Sequence, residues 1–374
     1  MEKDHLRINV ASVSTNQQAL DFANNKNRIF KSIEVCKSIG VTYRAGGELE
    51  VPGYSCDDHF KELDTIYHCW ELVNDLLQTD LTEGIICEMN MPVIHKSVCY
   101  NSKVLCFNRR VIFIKPKAEN ADEANYRESR YFVPYRPVVK GQLEQFTLPH
   151  IIERQTGQRT APFGLGIVQL LDTCFGLSFS RISVKQGQSR LAFLNNADFV
   201  VGSTALHYQK DIERSHVKSV LAETSKNGGA YVFCNLIGCD GNNTYFGGGN
   251  AIVQNGNILS MGKYHTLNEI EITTGVLNLQ KIRLQRQKFT GGQRHVLDQE
   301  ILPKVHVESN LCTPGIKYTK PMEATWDPAQ QQFVEVSSSY LWDYLVKTGA
   351  NGFCLPMDGS ANSTCIAMIT YYLC

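Results

Sequence analysis

Short apolar runs of strand length alternate with amphipathic helical stretches along most of this chain, and hairpin signals fall among them. That order constrains the fold more than any other feature. Strands separated by helices call for helices laid on a sheet, and the interspersed hairpins make the sheet mixed rather than purely parallel. Residues 6–13 (LRINVASV) alternate as a half-buried strand does. Residues 28–40 carry Ile29, Phe30, Ile33 and Val35 at helical spacing, with Gly40 as the stop. A short strand over 41–44 leads into Gly46-Gly47-Glu48, and 63–77 form a second amphipathic helix. Residues 84–117 are a run of strands around Ile85, Val104 and Ile112, with a turn at Asn108-Arg109-Arg110. Residues 166–171 form an apolar strand that ends in Asp172-Thr173-Cys174. Strands over 199–202 and 231–235 flank a helix over 215–225, and Asn255-Gly256 suits a type I′ hairpin turn within 250–259.

Order weakens over roughly 285–331, where prolines stand at 303, 314, 321 and 328. It returns with a helix over 339–347, an apolar strand over 352–357 and a helical tail to Cys374. The chain therefore divides into a large domain (1–284), an arm (285–338) and the beginning of a second domain (339–374). The formal net charge is zero, so no electrostatic footprint calls for nucleic acid or an anionic membrane. No apolar run reaches the roughly 20 residues of a membrane helix, and no basic segment followed by an apolar run opens the chain. The 13 cysteines are odd in number and scattered, which reads as reduced thiols in a cytoplasmic protein. The pairs Cys99/Cys106 and Cys234/Cys239 lack the repeated short spacing of a zinc site, so no metal is expected.

Three segments each set a reactive residue at the end of an apolar run: Glu48, Lys117 and Cys174. Hydrolysis of an amide by a thiol needs this set. The thiolate attacks the carbonyl, a carboxylate accepts and returns protons, and a cation steadies the oxyanion. Spacing alone leaves open whether the three meet.

The local sequences add more. Gly46-Gly47-Glu48-Leu49-Glu50-Val51-Pro52-Gly53-Tyr54 resembles the PELE-x-x-GY segment that carries the base in the nitrilase superfamily. Lys115-Pro116-Lys117 resembles the R-P-K segment, and Leu171-Asp172-Thr173-Cys174-Phe175-Gly176 the DTC-I-G segment. Asn16-Gln17-Gln18-Ala19-Leu20-Asp21-Phe22 and Asn125-Tyr126-Arg127-Glu128 are similar to the NQWALDF and NYRE segments of eukaryotic glutamine-dependent NAD synthetases. Thr156-Gly157-Gln158 and Gly238-Cys239-Asp240-Gly241 fit the same family.

The resemblance implies a nitrilase-type α-β-β-α sandwich followed by a short remnant of an α/β ATP-pyrophosphatase domain. It implies a glutaminase with Cys174 as nucleophile, Glu48 as base, Lys117 at the oxyanion and Glu128 as supporting carboxylate. Tyr126 and Ser203 would contact glutamine or a related small amide. A homo-oligomer, or association with a full-length synthetase, is the implied assembly. The amide step needs no cofactor. Departures from the family pattern point to an alternative, a catalytically impaired paralogue that binds or regulates an intact synthetase. Gly47 replaces a proline. Residues 176–183 read GLSFSRIS where the family has an acidic C-E-E-L-W/F segment, and the ATP loop has become Asp358-Gly359-Ser360-Ala361-Asn362-Ser363.

Overall fold

The computed structural model describes residues 6–179, 188–240, 244–288 and 301–374. Helix α1 (Phe22–Ser38) starts at Asp21, whose side chain accepts from the Asn24 N–H, and buries Asn25, Ile29, Ser32, Ile33 and Cys36 along one face. Just past its end, Gly40 takes φ +72°, which favours glycine. Helix α2 (Leu63–Gln78) buries Ile66, Cys69, Trp70, Val73, Leu76 and Leu77 at the same helical period.

Both helices cover one face of an eight-stranded sheet. Its strands are β1 (Arg7–Thr15), β2 (Tyr43–Ala45), β3 (Ile86–His95), β4 (Val98–Phe107), β5 (Arg110–Pro116), β6 (Glu144–Thr147), β7 (Thr160–Phe163) and β16 (Ile270–Asn278). The order is β16-β1-β2-β3-β4-β5-β7-β6. The second sheet has the order β15-β14-β11-β10-β9-β8-β17. It comprises β8 (Ile167–Gln169), β9 (Cys174–Phe179), β10 (Phe199–Thr204), β11 (Ala230–Asn235), β14 (Ala251–Gln254), β15 (Asn257–Met261) and β17 (Lys304–His306). Its outer face carries α4 (Gln188–Leu194) and α5 (Ile212–Asn227), while α3 (His150–Thr156) packs on the first sheet, α6 (Leu279–Lys288) follows β16, and β12 (Ile237–Cys239) and β13 (Tyr245–Gly247) form a separate two-stranded pair.

Between the sheets lies an apolar layer to which β1, β2 and β5 contribute Val10, Tyr43 and Phe113, and the second sheet Phe175, Leu177, Phe199 and Val232. The expected α-β-β-α sandwich and its mixed sheets are therefore present. The hairpin at Asn255-Gly256 joins β14 to β15 with both residues at positive φ.

Three expectations change. Cys174 does not end the preceding strand. The chain turns at 170–173, with the Leu170 N–H bonded to the Thr173 carbonyl, and Cys174 opens β9, antiparallel to β8. Within the arm, Lys304–His306 extends the second sheet by pairing parallel to β8. Residues 352–357 form no strand, and two helices, α7 (Ala329–Thr348) and α8 (Ala361–Leu373), flank them.

Candidate functional site

The chain gathers its charged groups where β2 and β5 of the first sheet end and β9 and β10 of the second end beside them, the usual place for a site in an α/β sheet. Glu48 sits in the loop after β2. The carbonyls of Gly46 and Gly47 both accept from Asn90 Nδ2, at 3.0 and 2.8 Å, and the Glu48 N–H donates to the Thr204 carbonyl at 3.3 Å. Two residues on, Glu50 is gripped by the fully buried Arg44 guanidinium at 2.5 and 3.0 Å. Gly47, where the family pattern has proline, is closely packed. A Cβ there would overlap the Leu236 side chain, so glycine lets Leu236 pack directly on the backbone.

Lys117 follows β5. Its Nζ lies 2.5 Å from Glu48 Oε1 and 2.7 Å from Glu128 Oε2, and all three side chains are buried. Asn101 Nδ2 donates to Glu48 Oε1 at 2.7 Å, and the Lys117 N–H donates to the Asn101 carbonyl at 2.8 Å. Glu128 accepts from Tyr54 Oη at 2.7 Å and from the Ala121 N–H at 2.9 Å. Burial pushes the Glu48 carboxyl above its ordinary range. Lys117 opposes that shift, Glu128 adds to it, and the balance stays upward. For Lys117 burial acts downward, but Glu128 and Glu48 outweigh it and hold the ammonium charged. Two carboxylates face one ammonium, so a base poised upward stands beside a fixed cation. Glu128 Oε1 also lies 2.9 Å from Nζ, so three carboxylate oxygens face the three ammonium protons.

A narrow cleft of about 90 Å³ opens onto Glu128, walled by Tyr54, Tyr126, Phe132 and His207. Its lining reaches the centre at Glu128 and includes neither Glu48 nor Lys117. Tyr126 forms its wall through the ring; the hydroxyl donates to the Ala205 carbonyl and accepts from the His207 N–H.

Cys174 is not part of this centre. It lies at the start of β9, and Phe179 at the other end, about 16 Å along the strand, places its ring 5.3 Å from Lys117 Nζ. Side chains alternate, so Phe175 and Leu177 enter the layer between the sheets while Cys174 packs under α4 and α5 with Ala192, Phe193 and Val217. The charges around its thiol are Lys304, Asp198, Arg286 and Arg283, and burial pushes it up to about 12. The expected nucleophile is therefore a core residue. Ser203, the other expected contact, is fully buried; it donates to Glu88 Oε2 at 2.8 Å and accepts from Lys103.

Residues 180–187, which follow Phe179 and begin with Ser180, lie outside the described residues. Of the residues around the centre, Asn90 and Asn101 carried no sequence signal, whereas Tyr54 closes the segment that resembles PELE-x-x-GY. At the far end, the Asp358 carboxylate accepts from the Ser360 N–H and the Ser363 hydroxyl at the start of α8. No group of three or more His, Cys, Asp or Glu among the described residues is placed to hold a metal ion, and none of their helices is long and apolar enough to cross a membrane.

The four-layer sandwich and this buried Glu–Lys–Glu centre define the class. The chain belongs to the carbon-nitrogen hydrolase family, whose profile matches residues 9–287. Over 98% of its length it is 34% identical to a glutamine-dependent NAD(+) synthetase of Drosophila melanogaster, covering 47% of that protein. It is 33% identical to the Homo sapiens glutamine-dependent NAD(+) synthetase over 98% of this chain and 52% of the relative. The chain thus spans about half the length of the curated relatives it matches. The same fold occurs in a glutamine-dependent NAD(+) synthetase from Cytophaga hutchinsonii (TM-score 0.73, 18% identity, 98% of this chain and 51% of that one). It also occurs in an amidase of the nitrilase superfamily from Nesterenkonia (TM-score 0.54, 16% identity, 78% of this chain and 98% of that one).

Proposed function

We propose that this chain is an amidase-type domain of NAD biosynthesis that recognises the glutamine side-chain amide at Glu48, Lys117 and Glu128 without forming a cysteinyl thioester. One observation carries the reading: the acid–base and cationic groups are assembled, while Cys174 faces the opposite side of its strand. Lys117 would donate to the amide oxygen by giving up one of its two contacts with Glu128, and Glu48 would accept from the amide nitrogen. Glu128 would hold the lysine. Without a thiol to attack the carbonyl, the amide stays whole. The chain then acts as a binding or regulatory partner, paired with a second copy or with an intact synthetase. Asp358 occupies the N-terminus of α8, where pyrophosphate would otherwise be drawn, so no ATP-dependent step is assigned to this segment.

A second reading rests on the hydroxyls of Ser180 and Ser183, which follow Phe179 in the sequence and keep open a hydrolase with a different nucleophile. Calorimetry with glutamine, beside labelling with an electrophilic glutamine analogue mapped by peptide mass, separates the two. Saturable binding lost in Lys117→Met, with no adduct, supports the amide-binding reading. An adduct on a serine after Phe179 supports the hydrolase. An adduct on Cys174, or no binding, overturns the proposal.

A further inference from the structure

Helix α7 is joined to the sandwich by a buried polar cluster distant in sequence from everything it touches. Lys347 Nζ donates to Asn16 Oδ1 at 2.6 Å, to the Gln17 carbonyl at 3.1 Å and to the Cys239 carbonyl. One turn earlier, Asp343 accepts from Asn16 Nδ2 at 2.6 Å and from the Cys239 N–H. Both side chains are less than a tenth exposed. Gly238 makes the approach possible: at φ +83°, a Cβ there would overlap both Asn16 Oδ1 and Asp343 Oδ2. An ion pair this well buried is weak evidence for stability by itself. What it grips is more informative.

Two routes lead from it to the candidate centre. Gln17, held through its carbonyl, donates Nε2 to the Glu50 carbonyl at 2.7 Å, two residues from Glu48. Cys239 precedes Asp240, whose Oδ2 accepts from the Ser55 N–H at 2.7 Å. Ser55 in turn follows Tyr54, the hydroxyl donor to Glu128. Burial pushes Asp240 up to about 7, and Lys347 is the cation that opposes this shift. One helix turn therefore anchors the loop bearing Glu48 at one end and the tyrosine that orients Glu128 at the other.

We infer that Asp343 and Lys347 are positioning residues for the Glu48–Lys117–Glu128 centre, so that the seating of α7 sets how well the centre holds an amide. The inference rests on the amide-recognition reading above and extends it to a part of the chain outside the matched hydrolase region. If α7 only added stability, losing any of its anchors would act alike. Ser339, whose hydroxyl donates to the His265 carbonyl at 2.9 Å, is a second buried anchor on the same helix that touches neither route.

The test compares Lys347→Met, the milder Asp343→Asn and the control Ser339→Ala. Glutamine affinity is read by calorimetry, and amide exchange at Ser55 and Glu48 by hydrogen-exchange mass spectrometry of the full chain. Lys347→Met is expected to weaken glutamine binding about tenfold or more, a usual size for coupling between sites. It should speed exchange over residues 46–56 and leave β4 protected. Asp343→Asn should do the same to a smaller degree, and Ser339→Ala should do neither. Equal effects from Ser339→Ala, or unchanged exchange at 46–56 in folded Lys347→Met, would overturn the inference. Absence of glutamine binding in the wild type counts against the amide reading alone; the exchange data then decide the role of α7.

Discussion

Replacing Lys117 by methionine keeps most of the side chain's length and removes its charge, which isolates what the ammonium does between Glu48 and Glu128. Both carboxylates contact Nζ at 2.5–2.7 Å in surroundings with almost no solvent. Removing one partner of such a buried pair costs about 3–5 kcal/mol, because the remaining charge is left uncompensated. The pH dependence follows from Glu48. Its carboxyl already lies above its ordinary range, and losing Lys117 removes the main force holding it down, so its folded value rises further. A group raised on folding contributes stability that is fully present below its unfolded value and lost as pH rises through the folded one. Lys117→Met should therefore be weakest at alkaline pH. Its deficit relative to wild type should shrink toward pH 5, by up to about 1.4 kcal/mol per pH unit while one extra proton is bound in the native state.

Urea unfolding at pH 5, 6, 7 and 8 measures this directly. A second variant, Lys117→Met with Glu128→Gln, removes one of the two opposed carboxylates and should recover at least about 1 kcal/mol of the loss at pH 8, a coupling of the size neighbouring charges show. A single variant as stable as wild type at pH 8, or one whose deficit widens in acid, would refute the idea that the ammonium balances two buried carboxylates.

Three other expectations can be checked more simply. Iodoacetamide at pH 8 should label the exposed Cys354, Cys365 and Cys374 on the folded chain and spare Cys174, whose thiol is buried and pushed up to about 12; Cys174→Ala should cost about 1 kcal/mol and leave glutamine affinity unchanged. His265 is drawn down to about 4 by burial, so its contribution is present above pH 6.5 and lost as pH falls toward 4. His265→Gln should remove about 2–3 kcal/mol of that acid sensitivity in a pH series of unfolding curves. Gly238→Ala should destabilise by about 1–3 kcal/mol through backbone strain at φ +83° and should weaken glutamine binding together with Lys347→Met, measured by calorimetry beside thermal melting.

Much of the architecture was legible because periodicity reports burial. The alternation over residues 6–13 became β1, and the helical spacing of Ile29 and Ile33 became the inner face of α1. The centre was legible in part. Glu48, Lys117 and Glu128 stand in segments whose local sequence resembles one family, and the strand ends bring them together. Asn90 and Asn101 escaped notice because an asparagine in a strand is common, and only long-range pairing gives them work; Tyr54 stood in a quoted segment, but its bond to Glu128 spans 74 residues and no local pattern announces it. The arm over 285–338 looked like a linker because β17 is three residues long, too short for a periodic signal, and gains its stability from β8 rather than from itself.

The misplacement of the nucleophile has a physical cause that applies beyond this chain. Asp172-Thr173-Cys174 was read as the end of a strand, but the turn at 170–173 makes Cys174 the first residue of the next one. In an extended strand each residue adds about 3.3 Å and reverses the side chain's face. Assigning a residue to the wrong end of a six-residue strand therefore moves it about 16 Å, and a five-residue offset also reverses its face. Similarity of a short segment is insensitive to both errors, since Phe175 and Leu177 are apolar whichever way the strand runs. The layer each side chain enters decides the matter. Phe179 meets Lys117, Phe175 and Leu177 fill the space between the sheets, and parity then sends Cys174 to the helices outside. A thiol so placed can stabilise the sandwich, but it cannot reach an amide held by Lys117 without breaking β9 from its neighbours on both sides.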